Sequence, residues 1–254
     1  MNKNNYHTHT TRCYHASGKD EEYVKAAIKA GIKELGFSDH TPWHYDSSFK
    51  ATMRMPESQL DDYIESIRYL KEKYKDQISI LIGLECEYFE RYMPWLEKML
   101  KDKQIDYIIL GNHYYQTDEL HQYFGSPVNE YYLKAYVDHC IKAIDTGLYS
   151  LAHPDLVYYD KDSKLYQEEM SRLCAYAKEK DMPLEFNLLG FMSGRHYPNE
   201  SFWKIASKYQ NKAIIGFDAH SPDALLKDDI YQQAFNYLSS LDVELIDTIK
   251  TLKK

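Results

Sequence analysis

The sequence predicts an α/β fold, a β/α barrel made of seven strand–helix units, and three observations support this prediction. Short apolar runs alternate with segments of helical periodicity, which is the pattern of parallel strands joined by helical crossovers. The length of 254 residues is typical of one such barrel. Histidines and carboxylates follow the apolar runs, where a barrel places its outgoing loops. An open doubly wound sheet is the alternative, but it would gather site residues from fewer strands.

Composition limits the function classes. Hydrophobic residues make up 44% of the chain, and we find no linker, repeat or low-complexity run, so we expect one domain over residues 1–254. The net charge of -8 argues against a nucleic-acid partner. The N-terminus lacks the apolar region of a signal peptide and no apolar segment is long enough for a membrane helix, so we expect a cytoplasmic protein without a membrane partner. The oligomeric state stays open.

Four cysteines and eleven histidines point away from thiolate chemistry. The cysteines are scattered without a Cys-x-x-Cys pair, so we expect reduced thiols rather than disulfides or a thiolate zinc site. The histidines are more informative. The segment Asn5–Thr10 reads as the first strand and carries His7 and His9. Residues two apart in a strand face the same side, so this pair has a metal-binding geometry.

The remaining elements follow from periodicity and from start and stop signals. Residues 20–30 have acids in the first turn and Gly31 as a stop, and residues 57–75 and 130–146 carry apolar stripes at helical spacing. Residues 78–87 are almost wholly apolar, as in a strand buried on both faces. We predict strands at residues 5–10, 34–38, 78–87, 107–111, 149–152, 183–187 and 213–217. We predict helices at residues 20–30, 57–75, 94–101, 130–146, 163–180 and 201–209, a loop at residues 188–198, and two further C-terminal helices.

Possible metal ligands recur at the ends of these strands. They are His15, Asp39 with His40, Glu85, His113, His153, and Asp218 with His220. Imidazole combined with carboxylate suits Zn, Fe or Mn better than Ca or Mg. For Glu87, next to Glu85 on the same strand face, support of a ligand is more usual than direct binding. His44, His121 and His139 are not expected to be ligands.

This ordered set resembles the PHP (polymerase and histidinol phosphatase) superfamily. The resemblance rests on His7-x-His9, His15, Asp39-His40, Gly83-Leu84-Glu85, Asn112-His113, His153-Pro154 and Asp218-Ala219-His220. Gly83-Leu84-Glu85, Gly111-Asn112-His113, Arg195 and the chain length are similar to the monofunctional histidinol-phosphate phosphatases.

The resemblance implies a distorted seven-stranded, TIM-like barrel with three divalent metal ions at the C-terminal ends of the strands. The first ion would be bound by His7, His9, Glu85 and Asp218. The second would share Glu85 and add His113 and His153, and the third would take His15, His40 and His220. Every position holds the residue type that the family pattern requires.

The residues predict hydrolysis of a small phosphomonoester by a metal-bound hydroxide, and the resemblance implies that the substrate is L-histidinol phosphate in histidine biosynthesis. Several bound cations would attract a phosphate dianion into an acidic protein and lower the pKa of water. Glu85 and Asp218 would serve as metal-binding catalytic carboxylates. Asp39 would either orient a ligand imidazole or donate the leaving-group proton.

Five residues are candidates for contact with the substrate. Arg195 is the first choice for the phosphate because a guanidinium matches two phosphate oxygens. Arg54 and His196 are weaker candidates. Glu185 and Asn187 end the sixth predicted strand and are candidates for a substrate amine or imidazole.

Three other functions remain open alternatives. A protein-tyrosine phosphatase or a nuclease of the same superfamily would use the same metals, although the chain lacks a basic stripe for nucleic acid. A non-catalytic metal-binding protein is the third alternative, and the loss of one or two ligands would have indicated it.

Overall fold

Seven parallel strands lie in chain order in one curled sheet of the computed structural model, which describes residues 2–252. The strands are β1 Glu34–His40, β2 Ser79–Cys86, β3 Tyr107–Leu110, β4 Tyr149–Leu151, β5 Leu184–Asn187, β6 Lys212–Gly216 and β7 Glu244–Leu245. Every neighbouring pair is parallel, so all the strands end at the same side of the sheet. The predicted distorted β/α barrel is confirmed. The predicted domain also includes residues 1, 253 and 254, which lie outside the described residues.

Helices surround the sheet. They are α1 Asp20–Lys29, α2 Leu60–Lys73, α3 Met93–Lys103, α4 Glu130–Thr146, α5 Lys164–Glu179, α6 Leu188–Met192, α7 Glu200–Lys208 and α8 Asp228–Ser240. Asn129, Ser163 and Asn199 cap α4, α5 and α7, because each side chain accepts a hydrogen bond from a backbone N–H in the first turn. Gly147 ends α4 in the left-handed conformation that glycine adopts without strain. No described helix is long and apolar enough to cross a membrane.

The N-terminal segment closes the barrel without forming a regular strand. Asn5 bridges Leu35 of β1, and Thr8 bridges Ala219, just after β6, so the segment lies between the two sides of the curled sheet. The predicted strand at residues 5–10 is therefore reduced to two isolated bridges. The Asn5 side chain explains the interruption, because its Oδ1 accepts from His7 N and its Nδ2 donates to the His7 carbonyl. These side-chain bonds replace part of a backbone ladder.

The C-terminal part differs from the sequence prediction. Only one of the two expected helices is present among the described residues, as α8, and β7 follows it. Val243 is buried, and Ile246 N donates to the Ala213 carbonyl at 2.9 Å, which attaches residues 243–246 to the edge of β6. Val243 and Ile246 are β-branched, as is common in strands. Helix α6 also occupies part of the loop predicted at residues 188–198. The number of strands is seven as expected, but β7 is counted among them and the first predicted strand is not.

The barrel interior is filled by a small cluster around Tyr107. Its ring packs edge-on against Tyr6 at 5.8 Å, and its hydroxyl donates to the Tyr6 carbonyl at 2.8 Å. A much larger apolar cluster fills the layer between the sheet and the helices. The Tyr107 cluster fills the interior and the helices cover the outside of the sheet, so polar side chains converge at the strand ends.

Candidate metal centre

A cavity of about 760 Å³ opens at the C-terminal ends of the strands. Eight of the nine predicted metal ligands line it: His9, His15, His40, Glu85, His113, His153, Asp218 and His220. His7, the ninth, is fully buried beneath the cavity floor. Parallel pairing explains the convergence, because the register places His40 at the end of β1 directly beside Glu85 of β2.

Glu85 is the centre of the cluster. Five imidazole nitrogens surround its carboxylate, at 3.5 Å for His7, 3.5 Å for His9, 3.0 Å for His40, 3.4 Å for His113 and 2.9 Å for His153. Gly111 makes room for it, since a Cβ at that position would lie 2.2 Å from Glu85 Oε1. A buried carboxylate shared by so many imidazoles is suited to hold more than one cation.

Asp218 provides the second carboxylate. Its Oδ1 lies 3.4 Å from His7 Nε2 and 3.2 Å from His9 Nε2. Asp218 has a φ of 50°, a left-handed conformation that is costly for a residue with a Cβ. Such strain is often retained at functional sites, where it aims a side chain.

Outer hydrogen bonds orient most of the ligand imidazoles. Glu185 accepts from His7 Nδ1 at 2.9 Å, the Cys13 carbonyl from His15 Nδ1 at 2.7 Å, and the Asp218 carbonyl from His220 Nδ1 at 2.9 Å. Because a carbonyl oxygen can only accept, Nδ1 of His15 and His220 carries the proton and Nε2 keeps the free lone pair. His40 differs, since it turns Nδ1 toward Glu85.

The pair His15 and His220 tests whether the site fits a metal ion. The two Nε2 atoms lie 2.9 Å apart, and both carry lone pairs if Nδ1 is protonated in each ring. Two lone pairs at this distance repel each other, whereas a cation between them would satisfy both. Within the described residues, His7 Nε2, His9 Nε2, His40 Nδ1 and Asp218 Oδ1 are also buried without a hydrogen-bond partner. The donor set therefore fits divalent metal ions.

Ligand atoms in four groups of the described residues lie within 4.8 Å of one another: His7, His9 and Glu85; His40, Glu85 and His113; His15, His40 and His220; and His9, Cys13 and His220. The first and third agree with the expected division. The second contains His40 where the resemblance implies His153, although His153 Nε2 lies 2.9 Å from Glu85. Cys13 was not a sequence candidate, and its position two residues before His15 is the signal that would have indicated it.

The charges of the cluster favour cation binding. Burial alone would raise the pKa of Glu85, but the imidazoles of His113, His40 and His7 hold it well below its usual range. Burial lowers the pKa of His40 to about 4 and that of His220 to about 3, so both rings are neutral and able to bind a metal. Asp218 and the other nearby carboxylates outweigh burial and raise the pKa of His7 and His9. In the metal-free protein, protonated His7 and His9 therefore supply positive charge where a cation would bind.

The predicted substrate contacts fall into two groups. Arg195 is exposed on the cavity wall, and its NH1 donates to Tyr197 Oη at 2.7 Å, which leaves further donors free. His196 also lines the wall, but its Nε2 donates to the Leu156 carbonyl at 2.5 Å. Arg54 reaches the wall with a buried guanidinium that is bound to Glu87.

Glu185 and Asn187 lie behind the ligands instead of on the cavity wall. Glu185 binds His7 Nδ1, and Asn187 Nδ2 donates to Glu185 Oε1 at 2.9 Å and to Asp218 Oδ2 at 3.1 Å. A Cβ at Gly216 would lie 2.3 Å from Glu185 Oε2, so this glycine makes room for the carboxylate. Their expected substrate contacts stay predictions, whereas their contacts with His7 and Asp218 are direct.

Asp39 is buried and has its oxygens engaged by the chain. Oδ2 accepts from Thr10 N at 3.1 Å and from the Thr10 hydroxyl, and Oδ1 accepts from His40 N at 2.8 Å. Oδ1 also lies 3.6 Å from His9 Nδ1. This distance is too long for a hydrogen bond, so the two roles left open by the sequence, orientation of a ligand imidazole and donation of the leaving-group proton, stay predictions.

Several wall residues were not sequence candidates. They are Met53, Tyr114, Tyr123, Gly125, Leu189 and Tyr197, with His121 at the rim. Tyr114 follows the ligand His113 directly, and Tyr197 lies two residues after Arg195, so proximity to candidates was the available signal. With 25 tyrosines in the chain, this signal was too weak to single out Tyr114 and Tyr197.

Comparisons with known proteins place this geometry in a family. A PHP domain model matches residues 5–188. The chain is 29% identical over 234 residues to a probable histidinol-phosphatase of Deinococcus radiodurans, with 85% of both chains covered. It is 26% identical over 254 residues to the histidinol-phosphatase of Bacillus subtilis, covering 87% of this chain and 94% of that protein.

A solved structure confirms the fold. The histidinol phosphate phosphatase of Lactococcus lactis, crystallised with zinc, L-histidinol and phosphate, matches with a TM-score of 0.70 and 19% identity over 99% of both chains. The family model spans more than two thirds of the chain and includes the N-terminal histidine pair, Glu85, His113 and His153. The chain therefore belongs to the PHP domain family.

Proposed function

We propose that this protein is a histidinol-phosphatase, which hydrolyses L-histidinol phosphate to L-histidinol and phosphate in histidine biosynthesis. The observation that carries the proposal is the buried Glu85 carboxylate surrounded by five imidazoles at the open end of the barrel. The names of the Deinococcus and Bacillus relatives support this substrate. The cytoplasm is the location we propose for this biosynthetic step.

We propose three divalent transition-metal ions, Zn, Fe or Mn, as the cofactors. His7, His9, Glu85 and Asp218 would hold the first, Glu85, His113 and His153 the second, and His15, His40 and His220 the third. The donor groupings support the first and third sets, and the 2.9 Å approach of His153 to Glu85 supports the second. When bound, such ions lower the pKa of water and neutralise phosphoryl oxygens.

The residues of this chain prepare the site for that chemistry. Glu85 and Asp218 concentrate negative charge on the floor of the cavity. Glu185 holds His7 by a hydrogen bond, and Asp39 would orient His9, whose Nδ1 lies 3.6 Å away. Arg195 would bind the substrate phosphate with the donors that Tyr197 leaves free. Tyr197 Oη accepts from Arg195 and keeps its own proton for a second hydrogen bond to the phosphate.

The shape of the cavity agrees with a small substrate. A volume of about 760 Å³ lies within the usual range for small-molecule sites. The rings of Tyr114 and Tyr123, 5.4 Å apart on the wall, offer faces against which an imidazole can pack.

Phosphate release assays with metal-replete protein test the proposal. L-Histidinol phosphate, an aryl phosphate and a phosphotyrosine peptide are compared at equal concentration. We expect histidinol phosphate to have the highest kcat/KM, and Glu85→Gln to abolish its turnover. Preference for the peptide would replace the proposal by a protein-tyrosine phosphatase. Metal uptake without turnover of any substrate would indicate a non-catalytic metal-binding protein.

A further inference from the structure

Arg54 is a buried cation in the loop between β1 and α2. Its side chain is 4% exposed. Burying a guanidinium is costly unless its donors are matched by acceptors and its charge is balanced. Its partners come from the segments that follow three different strands: the Thr41 carbonyl at 3.0 Å, Glu87 at 2.9 and 2.7 Å, and Asp118 Oδ2 at 3.1 Å. Arg54 thus joins the loops after β1, β2 and β3.

Glu87 is held in one orientation by this contact. Both of its oxygens receive a hydrogen bond from the Arg54 guanidinium, in the bidentate geometry that is the strongest form of this pair. Trp43 Nε1 donates to Oε2 at 2.9 Å, and His113 Nδ1 donates to Oε1 at 3.2 Å. Four donors therefore occupy the four acceptor positions of the carboxylate.

The consequence reaches the metal centre through His113. With Nδ1 bound to Glu87, its Nε2 points to Glu85 Oε1 at 3.4 Å. Glu87 is the carboxylate two residues from Glu85 and would itself be a strong ligand if it were free. Arg54 and Trp43 occupy its lone pairs, so it orients a ligand without competing for the metal.

The carboxylate that binds Nδ1 of His7 has different partners from Glu87. Glu185 binds His7 Nδ1 but receives its further hydrogen bonds from the neutral Asn187 and from His153 N. The His113 side chain is 14% exposed and that of His7 is fully buried. Packing holds His7, whereas His113 depends more on the charged pair behind it.

We propose that Arg54 is a positioning residue for the ligand His113 and acts through Glu87, without contact to the substrate. The inference rests on the proposed metal site of His113 but not on the identity of the substrate. It replaces the phosphate-binding role that the sequence suggested for Arg54, because each nitrogen of the buried guanidinium already lies against Glu87, Asp118 or the Thr41 carbonyl.

A competition titration with Zn(II) and a colorimetric chelator tests the proposal on the metal-depleted protein. Arg54→Met should weaken one Zn(II) position by about 10- to 100-fold, the usual effect of removing such outer support. The other Zn(II) positions should keep their wild-type affinities. In turnover assays, kcat should fall while KM changes little, since the substrate contacts remain.

The double variant separates positioning from simple stabilisation. If Arg54 acts through Glu87, Arg54→Met combined with Glu87→Gln should bind Zn(II) no more weakly than Glu87→Gln alone. Arg91→Met is the matched control, because Arg91 forms an exposed ion pair with Asp46 of the same β1–α2 loop. It should retain all wild-type affinities.

A further variant avoids a buried unpaired charge. Arg54→Lys keeps a buried positive charge beside Glu87 but loses the bidentate contact, so it should weaken the same position by several-fold even if Arg54→Met does not fold. Wild-type Zn(II) affinity in Arg54→Lys, or additive losses in the double variant, would overturn the role of Arg54. Failure of the wild-type protein to bind Zn(II) would instead refute the proposed metal centre itself.

Discussion

The floor and the rim of the cavity are built in different ways. The floor consists of side chains from the strand ends and the N-terminal segment, such as His7, His9 and Glu85, which are almost fully buried and packed against one another. The rim consists of loop residues such as Met53 and Arg195, which are exposed and have few partners. The floor is organised before any substrate arrives, whereas the rim can adjust to one. We therefore expect changes in the floor to abolish chemistry and changes in the rim to alter substrate preference.

The largest effect is expected for Glu85→Gln. The amide has no charge and leaves five imidazoles without their shared anion, so metal content should fall and kcat should drop by about 10³-fold or more. Metal analysis and phosphate release measure both effects. His44→Gln is the control, since His44 pairs with Glu57 on the surface. A Glu85→Gln protein with full metal content and normal turnover would contradict the special role of the floor.

Asp39→Asn should have the next largest effect. We propose the orienting role for Asp39, because it is buried beside His9 and does not line the cavity, so kcat should fall about 10- to 100-fold. The comparison of two leaving groups tests the role directly. An orienting residue affects an aryl phosphate and histidinol phosphate alike, whereas a proton donor matters mainly for the poorer alkoxide leaving group. A loss confined to histidinol phosphate would return Asp39 to the role of general acid.

Arg195→Ala tests the rim. Loss of a charge-assisted contact to phosphate should lower kcat/KM by about 10- to 100-fold, mainly through KM, and leave the metal content unchanged. Tyr197→Phe should have a smaller effect of the same kind, because it removes the hydroxyl that binds Arg195 NH1. Arg172→Ala, which breaks an exposed ion pair on α5, is the control. Loss of metal in Arg195→Ala would mean that the rim and the floor are not independent.

The same contrast explains what the sequence could predict. The floor was predictable because a strand end fixes where the next residues point, so Asp39-His40, Glu85 and His113 could be placed from apolar runs alone. Glu185 and Asn187 were assigned to the correct strand, yet strand position could not reveal that both side chains point to His7 and Asp218. That direction depends on the local barrel curvature, which arises only from the assembled sheet.

The rim and the closure of the barrel were harder to predict for a related reason. Tyr114 and Tyr123 meet through a bridge between two loop segments, a contact that no periodicity announces. The interruption of the first strand depends on the Asn5 side chain, and the strand nature of residues 244–245 depends on the free edge of β6. These features are set by tertiary partners distant in sequence.

The smallest expected effect concerns His139, which belongs to neither region. It lies on α4 against the rings of Tyr115 and Phe124, and burial, helped by Lys142, lowers its pKa to about 4. Asp138 and Glu90 oppose this shift. Because the folded pKa is below the ordinary value of about 6.5, the unfolded chain binds more protons than the folded protein between pH 4 and pH 6.5. The contribution of neutral His139 to stability is therefore full above pH 6.5 and lost as the pH falls toward 4.

His139→Phe should remove this dependence while keeping the ring packing. Between pH 7.5 and pH 5 the wild-type protein should lose more unfolding free energy than the variant, by on the order of 1 kcal/mol. The melting temperature of the wild-type protein should therefore fall more than that of the variant. His44 gives the opposite sign, since Glu57 raises its pKa and its contribution is lost as the pH rises. If the melting temperatures of wild type and His139→Phe change in parallel across this pH range, His139 is solvated. Burial without a carboxylate partner would then not distinguish it from the histidines of the floor.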